Sequence, residues 1–215
     1  MKIVIGIPSY LPDDKKVREY RFNKLKTLIN KCNSLFNLPI YIVKQNYKQE
    51  EESYLLGYKT VLSSLNYTPL GIVKARNTLR DWFINSEYDY LIMLDDDITI
   101  YGSNGKKYLK QIEENPNCFI ENNDLRIQLF AISKEIYKQI KFEDVSPETG
   151  GAFEDRIFVE TLRHKFPAAR RVFTDTDLFE DSPATADTYS TWYKGQDIPS
   201  MLSHTEEIIA KIKNT

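Results

Sequence analysis

Three aspartates stand side by side, Asp95, Asp96 and Asp97, directly behind the apolar run Tyr90-Leu91-Ile92-Met93-Leu94. Adjacent carboxylates repel one another, and a divalent cation among them relieves that repulsion. Hard ions such as Mg²⁺ and Mn²⁺ prefer carboxylate oxygen and readily bridge to phosphates. A departing diphosphate needs such neutralisation as its bond breaks. One aspartate after a strand is an ordinary solvated turn. Three at the end of a buried strand are an uncompensated cluster, placed where open α/β sheets bind their ligands.

Other residues carry chemistry less sharply. Glu154 and Asp155 follow Gly150-Gly151 and open a helix. The helix dipole alone favours acids there, but two glycines also permit close approach of a ligand, and a positioned carboxylate can act as a general base. Arg76 and Asn77, with Lys74 as the alternative, lie near a helix start, where an arginine fork suits a phosphate as well as an acidic neighbour. His164 sits among Arg163, Lys165, Arg170 and Arg171, a cluster that suits either a phosphate backbone or plain solvation. His204 reads as an exposed histidine at a helix start. Trp82 and Phe83 read as core, whereas Trp192, with Tyr189 and Tyr193, is the better candidate for stacking on a ligand.

These residues need elements to hold them. Residues 2–8 form a short apolar strand stopped by Pro8-Ser9-Tyr10. Asp13 and Asp14 are candidate caps for a helix whose apolar face is Phe22, Leu25, Leu28, Ile29, Cys32, Leu35 and Phe36. A strand is expected over 39–43, a helix over 50–65, a third helix over about 72–86, and the strand 88–94 that ends in the aspartates. Beyond it the pattern predicts a helix over 106–114, strands over 118–121 and 126–132, and a helix from Ser133 to Ile140. A helix over 153–165, a strand over 171–174, a long loop to about 199 and a last helix over 205–213 follow. Strands alternating with helices argue for an α/β fold with a mainly parallel sheet covered on both faces.

Composition bounds the rest. The 215 residues suit one domain, and 41% hydrophobic content excludes a disordered chain. No apolar run is long enough to cross a bilayer. The opening Met1 to Gly6 is too soon broken for a secretory signal, so the cytoplasm is the expected location. Two cysteines, Cys32 and Cys118, make no disulfide framework, and two histidines make a His-rich zinc site improbable. A net charge of -2 gives no overall support for a nucleic-acid partner.

Taken in order, Ile5-Gly6-Ile7-Pro8-Ser9-Tyr10, Lys74-Ala75-Arg76-Asn77, Leu94-Asp95-Asp96-Asp97-Ile98 and Gly150-Gly151-Ala152-Phe153-Glu154-Asp155 resemble the GT-A glycosyltransferases of the family-2-like type. The third segment is similar to their DxD motif. The resemblance covers about residues 1–165. It implies a single Rossmann-like GT-A domain, with a nucleotide-sugar-binding half over about 1–100 and an acceptor-binding half over about 101–215. It also implies a nucleotide-sugar donor, most readily a UDP-sugar, and Mn²⁺ or Mg²⁺. Pro8, Ser9, Tyr10, Lys74, Arg76, Asn77, Asp95 and Asp96 would line the donor site. Asp95 and Asp97 would hold the metal, with His204 as a third ligand. Asp155 would be the base, with Glu154 beside it. The acceptor would be the hydroxyl of a glycan or glycoconjugate, or of a modified base in phage duplex DNA.

Two competing readings use the same aspartates. Asp95-x-Asp97-x-Thr99 also fits the D-x-D-x-T pattern of haloacid-dehalogenase-type phosphatases, in which Asp95 would be the nucleophile. That pattern belongs on a domain's first strand, and here about a hundred residues of α/β structure precede it. A non-catalytic nucleotide-sugar binding module would keep the aspartates without transfer.

Overall fold

A computed structural model describes residues 1–58, 61–66, 70–100, 104–122, 129–143, 154–174, 179–180 and 198–214. Strands β1 (Ile3–Tyr10), β2 (Ile40–Gln45), β3 (Val61–Asn66) and β4 (Tyr90–Leu94) alternate with helices α1 (Lys15–Leu35), α2 (Gln49–Leu56) and α3 (Ile72–Asn85). A short strand β5 (Thr99–Ile100) and helix α4 (Gly105–Glu114) follow. The second half adds β6 (Phe119–Asn122), β7 (Leu129–Ser133), α5 (Lys134–Tyr137), α6 (Glu154–Lys165), β8 (Arg170–Phe173), β9 (Phe179–Glu180) and α7 (Ile198–Lys213).

Seven strands form one sheet in the order β3-β2-β1-β4-β7-β6-β8. Only β7 runs against the rest: it pairs antiparallel with both β4 and β6, and the other ladders are parallel. The expected mainly parallel α/β sheet is therefore the fold. Strands β5 and β9 make a separate antiparallel ribbon.

Both faces of the sheet are covered, as its apolar strands require. Ile3, Ile5 and Ile7 of β1 pack with Leu25, Leu28, Ile29 and Cys32 of α1 and with Tyr108 and Ile112 of α4. Val4 faces the other way, with Val73, Leu79 and Phe83 of α3, Tyr137 of α5 and Phe158 of α6. Asp14 caps α1, accepting from the backbone N–H groups of Lys16 and Val17 at 3.0 Å each. Cys32 and Cys118 are free and buried. Among the described residues no helix is long and apolar enough to cross a membrane.

Several expected elements differ. The helix expected over 50–65 stops at Leu56, and β3 follows it. Gly57 is a poor helix residue, and a short apolar run such as Val61-Leu62 fits either period. The open edge of β2, pairing from Ile40↔Val61 to Gln45↔Asn66, decides for a strand. Helix α7 begins at Ile198, seven residues before the expected Thr205. The segment read as one long loop holds β9, while residues 181–197 lie outside the described residues.

Strand β1 crosses the core without a side chain at one point. A Cβ on Gly6 would stand 2.7 Å from methyl carbons of both Leu79 and Leu91, closer than packing allows. Gly6→Val should destabilise the domain by about 1–3 kcal/mol through overpacking, read as a lower urea midpoint with an unchanged slope.

Candidate donor and cation site

The strand order reverses direction at β1: β2 and β3 lie on one side of it, β4 on the other. Open α/β sheets bind ligands in the crevice at such a switch point. The registers shape that crevice. Strand β1 pairs with β4 only as far as Gly6↔Met93, then runs on to Tyr10 along β2. Its last residues therefore overhang the turn that begins at Asp95.

Ser9 uses that overhang. Its hydroxyl donates to Asp96 Oδ2 at 2.6 Å, and the Tyr10 N–H donates to the same oxygen at 3.2 Å. Asp96 Oδ1 lies 3.9 Å from the Arg21 guanidinium of α1. Asp96 is only 7% exposed. Burial pushes its carboxyl above the ordinary range, against the pull of Arg21 and Ser9.

Asp95 points to a different partner. Arg76, from the first turns of α3, donates to Asp95 Oδ1 at 2.9 Å and forms an ion pair with Glu154 at the start of α6. The guanidinium also lies over the Phe142 ring. Burial opposes the charge on Arg76, but Asp95 and Glu154 outweigh it and hold the group protonated. One buried cation thus serves two carboxylates. Glu154 is the group that yields: burial pushes it up to about 7 despite Arg76.

Asp97 is the open member of the triad. Its side chain is 46% exposed, and its nearest cation is Arg21 at 3.9 Å. Burial of its surroundings, with Asp96 and Asp95 close by, pushes it up to about 6. A carboxylate with two like charges beside it gains from a cation. Among the described residues no three His, Cys, Asp or Glu side chains are grouped to hold a metal. That donor set still suits Mg²⁺ or Mn²⁺, which usually take one or two carboxylates and complete their shell with substrate phosphates and water.

A second layer braces the sheet edge. Arg18 of α1, 5% exposed, donates to Glu51 at 2.6 and 2.8 Å and to the carbonyls of Pro12 and Asn46 at 3.0 and 2.5 Å. Asn46, at φ 58°, donates to the Leu11 carbonyl at 2.8 Å. The loops leaving β1 and β2 are thereby tied to each other and to α2.

The remaining sequence candidates are distributed unevenly. Pro8, Ser9 and Tyr10 end β1 beside the triad, with Ser9 itself buried. Lys74 is exposed on α3. Asn77 is committed elsewhere: its amide donates to the Phe142 carbonyl at 2.9 Å and accepts from the Phe142 N–H at 3.0 Å. Asp155 is half-buried and accepts from the Arg156 N–H at 2.7 Å. His204 is exposed on α7, and no metal-holding group of the described residues includes it. Part of the basic cluster is engaged within the fold: Arg163 and Arg170 both pair with the buried Glu121 and Arg171 donates to Asn115, while His164, Lys165 and Arg170 are exposed. Trp82 stacks on Tyr41 with centroids 3.6 Å apart, and Phe83 is fully buried. Gly150, Gly151, Tyr189, Trp192 and Tyr193 lie outside the described residues. Sequence reasoning missed Arg21, Arg18 and Tyr47. The spacing of Arg18 and Arg21, one helical turn apart on a helix leaving the β1 loop, was the available signal for the first two.

No protein-family model matches the sequence, and no curated protein matches it either. Solved structures do resemble the fold. S. aureus TarS residues 1–349 superpose with a TM-score of 0.65 at 14% identity, over 100% of this chain and 71% of that one. TarS has also been solved with UDP and with UDP-GlcNAc. The mannosyltransferase PcManGT of Pyrobaculum calidifontis, in complex with GDP-Man and Mn²⁺, gives 0.59 at 12% identity, over 100% of this chain and 75% of that one. A Bacillus anthracis protein described as a glucose-1-phosphate thymidylyltransferase gives 0.59 at 10% identity, over 100% and 96%. The fold is the GT-A-like fold of nucleotide-diphospho-sugar transferases. A fold does not fix a reaction, so the site has to decide the chemistry.

Two expectations follow from the charge network. Arg76→Met leaves Asp95 and Glu154 without their shared cation and should cost about 3–5 kcal/mol. Adding Glu154→Gln should return part of that loss, giving a clear coupling term in a double-mutant cycle of chemical denaturation. Glu51 tests the brace. Burial raises it, but Arg18 and the Lys48 N–H pull it further down, so it titrates below its ordinary value in the folded protein. A depressed carboxyl stabilises at neutral pH and loses that stabilisation as pH falls through its folded value. The stability gap between wild type and Glu51→Gln should therefore be full at pH 7 and shrink below about 4.5.

Proposed function

We propose that this chain is a glycosyltransferase that uses a nucleotide-diphosphate sugar, with Asp95 and Asp97 holding Mn²⁺ or Mg²⁺ against the diphosphate. The carrying observation is Asp97: a carboxylate 46% exposed, next to Asp95 and Asp96, at the switch point of a GT-A-like sheet. The bound cation would neutralise charge building on the diphosphate oxygens. The residues of this chain do the rest. Arg76 bridges Asp95 and Glu154 and orients both. Tyr10 and the end of β1 border the crevice where the nucleotide would lie.

Asp155 is the base in this reading. Glu154 is buried against Arg76, whereas its neighbour is partly open to solvent. The acceptor oxygen attacks the anomeric carbon, and its proton passes to an Asp155 carboxylate oxygen. The carbon–oxygen bond to the diphosphate breaks, and the electron pair leaves with the diphosphate. A single displacement of this kind inverts the anomeric centre. A glycan or glycoconjugate hydroxyl is the acceptor we favour over a modified DNA base, because the net charge of -2 gives no overall pull on a phosphate backbone and Arg163 is already held by Glu121 and Glu160. The known ligands of TarS and PcManGT make UDP- and GDP-sugars the first donors to try.

Thermal shift with UDP-, GDP- and CMP-sugars and Mn²⁺ tests the reading, since a bound donor raises the melting point. Asp97→Asn should abolish the Mn²⁺-dependent shift. Asp155→Asn should keep the shift and slow transfer by about 10²–10⁴-fold. A shift without turnover would favour a silent binding module. Hydrolysis of a simple phosphate ester with Mg²⁺, lost in Asp95→Asn, would favour the phosphatase.

A further inference from the structure

The middle aspartate is built differently from its neighbours. Asp96 Oδ2 already accepts from the Ser9 hydroxyl at 2.6 Å and the Tyr10 N–H at 3.2 Å, and Oδ1 faces Arg21. The side chain is almost wholly buried. Behind Ser9 stands Tyr47, with 2.6 Å between the two hydroxyl oxygens. Ser9 has one hydroxyl proton, and it is directed to Asp96. Tyr47 must therefore be the donor to Ser9, and burial keeps its phenol protonated. The chain of donors runs one way, from Tyr47 to Ser9 to Asp96. It joins the loop after β2, the end of β1 and the turn after β4. Tyr47 is itself fixed, 5% exposed and edge-on to Phe22 of α1.

We propose that Asp96 anchors the turn rather than contacting donor or metal, and that Tyr47, Ser9 and Asp96 are positioning residues that set where Asp95 and Asp97 present their oxygens. This rests on the nucleotide-sugar reading above and deepens it. Asp96 is covalently joined to both flanking aspartates, so holding its side chain holds the start of both. Partners that orient a metal ligand typically change metal affinity by about 10–100-fold when removed. Tyr47→Phe is the clean probe. It deletes one buried hydroxyl, leaves the volume and every carboxylate in place, and touches neither the proposed ligands nor the donor.

The experiment titrates the full chain with Mn²⁺ alone and with Mn²⁺ plus UDP, well below the melting point, and records melting curves in parallel. Tyr47→Phe and Ser9→Ala should each raise the Mn²⁺ Kd about 10-fold while the proteins remain folded. Asp96→Asn, which keeps an acceptor oxygen for Ser9 and Tyr10, should lose less Mn²⁺ affinity than Asp97→Asn. Ser9→Ala serves as the second variant if the phenol substitution perturbs folding. Wild-type Mn²⁺ affinity in both hydroxyl variants would overturn the relay. So would a loss in Asp96→Asn as large as in Asp97→Asn, since that marks Asp96 as a ligand. A wild-type chain that binds neither Mn²⁺ nor UDP would instead sink the proposed function, a result distinct from the other two.

Discussion

Like charge crowded at one edge of a sheet is the constraint around which this molecule is arranged. Asp95, Asp96 and Asp97 leave β4 together, and Glu154 and Asp155 open α6 nearby. Two arginines answer them from opposite faces of the sheet: Arg21 from α1 and Arg76 from α3. Two cations among five acids leave an excess of negative charge. Glu154, buried beside Arg76, is pushed up to about 7 by that burial, with Asp155 and Asp95 adding to it. Asp97, facing solvent, keeps an oxygen donor open to a cation from outside.

The three adjacent aspartates have three distinct surroundings. Asp95 is a charged partner to Arg76. Asp96 is an internal hydrogen-bond acceptor. Asp97 is open. That division follows from backbone registry more than from residue type. Because β1 outruns its pairing with β4, Ser9 and Tyr10 reach the middle carboxylate. Because α3 packs across the opposite face, its second turn carries Arg76 to the first. Rigid strands and helices supply all of these contacts, which is the condition for a site held within a fraction of an ångström.

The brace around Arg18 shows why the edge can bear this strain. Loops after β1 and β2 carry polar backbone groups with no ladder to satisfy them. Arg18 and Asn46 satisfy several at once, and Glu51 anchors Arg18 in turn. Buried polar networks of this kind rigidify only when their members are satisfied.

The alternation of apolar strands with amphipathic helices, and the placing of the acidic triad at a strand end, were legible in the sequence. Period and capping are local properties, and Asp14, the α1 face and the strand before Asp95 depend on little else. Strand β3 was not legible, because Val61-Leu62 suits either period and the open edge of β2 chose between them. The partners of Arg76 and Asn77 were not legible either. Both stand in one helical turn, yet one is drawn to Asp95 and Glu154 and the other to the Phe142 backbone, which lie 19 to 78 residues away. Residue type alone determined that acids, arginines and a hydroxyl would meet water or each other. Only the tertiary structure decided which aspartate is paired, which is buried and which stays open, since that depends on how far each neighbouring strand runs before it turns.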